Sequence, residues 1–266
     1  MRRLSSVFSQ PGHKALIAYV TVGYPSLEAT LEVVPLLASR GCDIVELGIP
    51  FSDPLADGAT IQKASFYALK NGVTPQLCLE VAKQLSQMIE IPLVFMTYFN
   101  PVFSYGLKEF CGACTRSGIN GLIIPDLPPE EGSELEAVTQ RQDLDLIYLL
   151  SPTSTEERIK LVAERSRGFI YLVSVTGVTG ARERLPTNLE TFVTKVRKIA
   201  LQPLCVGFGI STPEQAGQVA RMADGVIVGS RIIQLMETED NFISPVGNLI
   251  KGLRRALDEL PQEEKL

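Results

Sequence analysis

The chain has 266 residues, of which 45% are hydrophobic, and a formal net charge of −5. That composition supports a sizeable buried core and excludes global disorder. With no extended basic block and no run of the roughly 18–20 apolar residues that a membrane span needs, neither nucleic acid nor membrane is an expected partner.

The N-terminal "MRRLSSVFSQPGHKAL" has no continuous apolar region before Pro11, so no secretory signal is expected. Its first ten residues read as a short helix that could plug the bottom of a barrel. The first strand-like run is "ALIAYVTV" (15–22), followed by a helix-like "SLEATLEVVPLLASRG" (26–41) with Ser26 as N-cap. "DIVELGI" (43–49) is the second strand-like run, and it enters the loop "ELGIPFSDPLADGATIQ" (46–62). Next come "PLVFMTYF" (92–99) and a helix-like stretch that contains "CGAC" (111–114). "GLIIPD" (121–126), the helix-like 128–142, "LDLIYLL" (144–150) and a helix-like 154–166 with Ser154 as N-cap follow. The last units are "GFIYLVSV" (168–175), "PLCVGFG" (203–209), a helix-like 212–223 capped by Thr212, and "DGVIVGS" (224–230).

These strand-like runs are almost continuously apolar, as strands buried on both faces are. Eight of them, alternating with about eight helices at intervals of roughly 30 residues, demand a parallel sheet. The reading is an α/β fold: one (β/α)8 TIM-barrel domain over 1–266, with a short extra N-terminal helix. An open doubly wound sheet would carry G-x-G-x-x-G after the first strand, and "TVGYPS" does not.

Five scattered cysteines, at 42, 78, 111, 114 and 205, are odd in number and indicate reduced thiols and a cytoplasmic chain. "CGAC" reads as helix packing, lacking a second pair or a nearby histidine. The single histidine, His13, cannot build a multi-histidine zinc site. No metal is expected, and acid–base chemistry falls to carboxylates, tyrosine or lysine.

Barrel active sites lie at the C-terminal strand ends. Glu46 stands there in an otherwise apolar run; pointed inward it would be desolvated, with a raised pKa suited to a general acid, and pointed outward it would only pair with a helix. Asp57 reads either as a second acid facing the same ligand or as an N-cap, and Asp53 as a turn former. "GFGIST" (207–212) and "VGSR" (228–231) follow the last two strands, where glycine-rich loops and a helix start form a phosphate cradle, although they could simply make tight turns. "VTGVTGARERLP" (175–186) reads as a lid. Tyr98, Tyr171 and Phe208 sit at or near strand ends, as aromatic pocket or as core.

"TVGYPS", "ELGIPFSDPLADGATIQ", "MTYFNPVFSYG", "GLIIPDLPPEE", "YLVSVTGVTGAR", "GFGIS" and "DGVIVGS" occur in the order found in tryptophan synthase alpha chains. The chain resembles that family over nearly its full length, and the second motif is highly specific to it. The resemblance implies a lyase in tryptophan biosynthesis that cleaves indole-3-glycerol phosphate to indole and glyceraldehyde 3-phosphate. It implies Glu46 as acid–base residue, Asp57 as the carboxylate on the indole N–H, Tyr171 in support, and Thr179 as the lid threonine. Gly180, Gly209, Gly229 and Ser230 correspond to phosphate-binding positions; Tyr19, Ile61, Met96 and Phe208 to the indole pocket. Tyr19 stands where well-known members have phenylalanine, and Val175-Thr176 where some have Arg-Ser. The implied partner is the tryptophan synthase beta chain in an alpha2-beta2 heterotetramer. That chain carries pyridoxal phosphate and receives indole through a tunnel, whereas this one needs no cofactor. Pro50, Asp53, Asn100, Phe103 and Asp126 fall on segments that meet or communicate with it. The alternatives are another sugar-phosphate TIM-barrel enzyme, which would need a differently placed base or a catalytic lysine, and a non-catalytic phosphate-ligand-binding regulatory subunit.

Overall fold

Successive strand residues point to opposite faces, so a strand buried on both sides serves two cores at once. The computed structural model describes residues 4–173, 187–207, 209–238 and 241–259, and builds a parallel barrel on this rule. Its strands are β1 (Ala15–Thr21), β2 (Ile44–Gly48), β3 (Leu93–Met96), β4 (Ile119–Ile123), β5 (Asp145–Ile147), β6 (Leu149–Leu150), β7 (Ile170–Val173), β8 (Leu204–Gly207) and β9 (Gly225–Val228). They pair in the order β5-β4-β3-β2-β1-β9-β8-β7-β6.

The fifth expected strand is therefore two pieces, β5 and β6, and the ring closes across Tyr148. The Tyr148 amide donates to Ser166 Oγ at 3.1 Å and not to a neighbouring strand, which breaks the ladder. Its carbonyl still accepts the Tyr171 amide at 3.1 Å.

Inward residues such as Ile17, Tyr19, Ile44, Val94, Ile147, Phe169 and Ile227 form the barrel core. Outward residues such as Leu16, Ala18, Val45, Leu47 and Phe95 pack beneath the helices. Helix α1 (Leu4–Val7) buries Leu4 completely in the inner core, and the rings of Phe8 and Phe169 lie 6.1 Å apart. The N-terminal plug expected from the sequence is present.

The outer layer comprises α2 (Leu27–Ser39), α3 (Ala59–Lys70), α4 (Pro75–Met88), α5 (Phe99–Tyr105), α6 (Leu107–Arg116), α7 (Ser133–Arg141), α8 (Glu156–Arg165), α9 (Leu189–Arg197), α10 (Pro213–Ala220), α11 (Ser230–Thr238) and α12 (Ile243–Asp258). Ser26 and Thr212 cap α2 and α10 as expected, the latter with Gln215 in a capping box. Ser154 does not cap α8: Thr155 does, accepting the Arg158 amide at 3.2 Å. Ser154 instead accepts the Ser151 amide at 3.0 Å, closing the preceding turn. Residues 128–132 are not the first turn of α7 but include a separate 3-10 turn, Pro129–Glu131. Cys111 and Cys114 are buried, unbonded thiols within α6, as the packing reading of "CGAC" requires.

Candidate active site

Glu46 lies in β2, in register with Tyr19 of β1 and Val94 of β3. The alternation that sends Val45 and Leu47 outward turns Glu46 into the barrel, so the outward alternative does not hold. It is fully buried, and neither carboxyl oxygen has a hydrogen-bond partner among the described residues. Burial alone pushes its pKa up to about 8, because an ion there would lose water without gaining a partner.

Asp57 follows β2 in the loop before α3. It is not the N-cap: that position is Gly58, which leaves the Asp57 carboxylate free to face the barrel mouth. Asp57 Oδ2 accepts the Tyr98 phenol at 3.1 Å, and Oδ1 is buried without a partner among the described residues. Burial raises its pKa to about 6, with the Tyr98 hydrogen bond pulling the other way. The two acids are thus pushed apart in proton affinity. At neutral pH Glu46 keeps its proton while Asp57 is mostly ionised.

Both line one cavity with Tyr19, Ile61, Met96, Tyr171, Gly209, Ile210, Ile227, Gly229, Ser230 and Arg231. The cavity brings together the expected acids, the supporting tyrosine, three of four pocket residues and three of four phosphate positions. Thr179, Gly180 and Phe208, with the expected lid over 175–186, lie outside the described residues. Burial, followed by the charges of Glu46 and Asp57, holds the Tyr171 phenol well above its ordinary value, so it stays neutral.

Two glycines make room for the phenols. A Cβ on Gly207 would lie 2.3 Å from the Tyr171 hydroxyl, and one on Gly48 2.1 Å from the Tyr19 hydroxyl. Tyr19 itself lies 3.2 Å, oxygen to oxygen, from the Thr21 hydroxyl.

Sequence reasoning placed Tyr98 only as pocket or core. Its position as the partner of Asp57, stacked on Phe51 with ring centroids 5.1 Å apart, was missed. The side chain reaches Asp57 across a loop, a juxtaposition with no local sequence signal. Among the expected interface residues, Pro50 is buried, while Asp53, Asn100, Phe103 and Asp126 are exposed on loops or helix starts after β2, β3 and β4. Asp126 accepts the Phe99 amide at 2.9 Å, which fixes the start of the helix bearing Asn100 and Phe103.

Fold and site together define a TIM-barrel enzyme of the acid–base class. The profile of the tryptophan synthase alpha chain family matches residues 6–254. The alpha chain of Dehalococcoides mccartyi is 58% identical over 258 residues, covering 97% of this chain and 100% of that one. That of Geobacter sulfurreducens is 45% identical over 262 residues, covering 97% and 99%. Among solved structures, tryptophan synthase of Mycobacterium tuberculosis superposes with a TM-score of 0.90 at 37% identity, covering 96% of this chain and 98% of that one. The alpha subunit from Legionella pneumophila gives 0.90 at 35% identity, covering 98% and 100%. The chain belongs to the tryptophan synthase alpha chain family.

Proposed function

We propose that Glu46 and Asp57 carry the carbon–carbon cleavage of indole-3-glycerol phosphate, the lyase reaction of the family, with the roles set by their different environments. The supporting observation is a fully buried carboxyl whose two oxygens have no partner among the described residues, sharing a cavity with a carboxylate tethered by a phenol. Glu46 starts protonated and donates to indole C3, which makes the ring an iminium-like electron sink. Glu46, now ionised, takes the proton from the hydroxyl on the carbon attached to C3. A carbonyl forms there, the carbon–carbon bond breaks, and its electron pair restores the aromatic indole. The acid ends protonated as it began, and the products are indole and glyceraldehyde 3-phosphate. Asp57 accepts the indole N–H and offsets the positive charge that develops on nitrogen. The ring supplies the electron sink itself, so this half-reaction needs no pyridoxal phosphate, which is held by the beta chain.

Tyr19, Ile61 and Met96 bound the indole end, and Gly209, Gly229 and Ser230 the phosphate end. Support for the latter is the first turn of α11, where the Ile232 and Ile233 amides donate to the Gly229 carbonyl at 2.8 and 3.1 Å and those of Ser230 and Arg231 have no intrahelical acceptor. Thr179, Gly180 and Phe208 keep the lid, phosphate and pocket roles that the family resemblance implies.

The partner is the tryptophan synthase beta chain. The docking face we assign to Asp53, Asn100, Phe103 and Asp126, with Pro50 beneath, is supported by the exposed apolar side chains of Leu55 and Phe103 beside the cavity loops (88% and 63% exposed). One continuous sheet supports a single domain. No helix among the described residues is long and apolar enough to cross a membrane. A cytoplasmic location is supported by five buried, unbonded thiols.

The test is indole formation from indole-3-glycerol phosphate by the purified chain, alone and with the beta chain. Release in both, faster in the complex, is expected. No release in either case would favour a regulatory binder.

A further inference from the structure

We propose that Arg231 is a phosphate-binding residue, supplying a full positive charge where the backbone supplies only partial ones. The inference deepens the reading above, resting on its placement of the substrate phosphate at the β8 and β9 loops.

Arg231 is the second residue of α11 and lines the same cavity as Gly209, Gly229 and Ser230. It is the only basic residue among the cavity's described lining, and it is half-buried. Among the described residues it has no hydrogen-bond or ion-pair partner. The first turn of a helix is a poor place for a cation, because the macrodipole and the orphan amides already make it positive. An unpaired arginine there breaks a local rule without a compensating contact, as functional positions do. A phosphate dianion removes the conflict, since dipole, amides and guanidinium then all favour the same ligand.

The charge balance of the cavity points the same way. Glu46 and Asp57 face the same space, and the whole chain is at −5. A doubly charged substrate entering against that field gains from a fixed cation lining the same cavity. The guanidinium fork matches two phosphate oxygens, whereas a lysine would offer only a point charge.

The experiment compares wild type, Arg231→Gln and Arg231→Lys as full chains. It measures kcat and KM for indole-3-glycerol phosphate, and inhibition by glycerol 3-phosphate and by indole. Competitive inhibition of the wild type by glycerol 3-phosphate tests the phosphate site independently of Arg231. Its absence would overturn the underlying reading and this inference with it. Where it holds, Arg231→Gln should raise KM and the glycerol 3-phosphate inhibition constant by about tenfold or more. The same variant should leave kcat within about twofold and indole inhibition unchanged, and Arg231→Lys should recover part of the loss. Added salt should weaken glycerol 3-phosphate inhibition of the wild type more than that of Arg231→Gln. An unchanged KM and inhibition constant in Arg231→Gln would overturn the proposal. So would an equal weakening of indole and glycerol 3-phosphate, which marks a disturbed cavity and not a lost phosphate contact.

Discussion

The Tyr98 phenol donates to Asp57 Oδ2 at 3.1 Å, and the same phenol oxygen accepts the Ala56 amide at 3.0 Å. One side chain from beyond β3 thus fixes both the backbone and the carboxylate of the loop after β2. That bond favours the ionised form of Asp57 against the burial that opposes it. Tyr98→Phe should therefore raise the Asp57 pKa further above about 6 and move the acid limb of the kcat/KM profile to higher pH. At neutral pH the loss should be about tenfold. An acid limb that stays in place would separate Tyr98 from the ionisation of Asp57.

Glu46 makes a stability prediction as well as a catalytic one. Its carboxyl sits at about 8 in the folded chain against an ordinary 4.5. Below the ordinary value both folded and unfolded chains hold the proton. Between the two values the unfolded chain releases it and the folded chain does not, so the folded state binds more protons and stability falls as pH rises. Glu46→Gln abolishes that dependence. Thermal or denaturant unfolding should find the variant nearly equal to wild type near pH 5, and more stable near pH 8 by on the order of 3 kcal/mol. A variant that loses stability as pH rises relative to wild type would contradict the buried, protonated carboxyl.

How far the sequence reached depends on whether a feature is local. Glu46 was legible because a carboxylate in a run of apolar residues is conspicuous, and strand alternation says where it points. The barrel was legible from the spacing of β-like runs, and the break at Tyr148 was not, because it depends on a hydroxyl from Ser166 eighteen residues on. Ser154 and Thr155 are equally good caps by type. The structure chose Thr155 because Ser154 is needed in the turn that holds Ser151. Tyr98 and Asp57 are forty-one residues apart and meet only after the barrel has formed.

The opposite end of the barrel supplies a control. Asp43 precedes β2 and accepts the Leu16 amide at 2.7 Å and Arg254 at 3.1 Å, with His13 Nε2 at 2.9 Å. It ties the first strand, the second strand and the last helix together at the end where the strands begin. Asp43→Ala should destabilise by about 2–4 kcal/mol, since it strips partners from a half-buried arginine and a backbone amide. Its kcat should stay near wild type under conditions where it is folded, and His13→Ala should also turn over normally. A loss of kcat in folded His13→Ala would place the lone histidine in the chemistry.

Asp57→Asn separates charge from shape. Asparagine fills the space and can still accept through its carbonyl, but it offers no negative charge to the developing cation. The variant should bind substrate within a few-fold of wild type and lose about 10²- to 10³-fold in kcat. A defect confined to KM would reassign Asp57 to holding the ligand.

The most direct measurement is indole formation from indole-3-glycerol phosphate by Glu46→Gln, paired with substrate affinity in the same variant. Glutamine keeps the size of the side chain and removes the transferable proton. The prediction is near wild-type affinity with kcat lower by about 10²- to 10⁴-fold. Turnover within about tenfold of wild type would contradict proton delivery by Glu46.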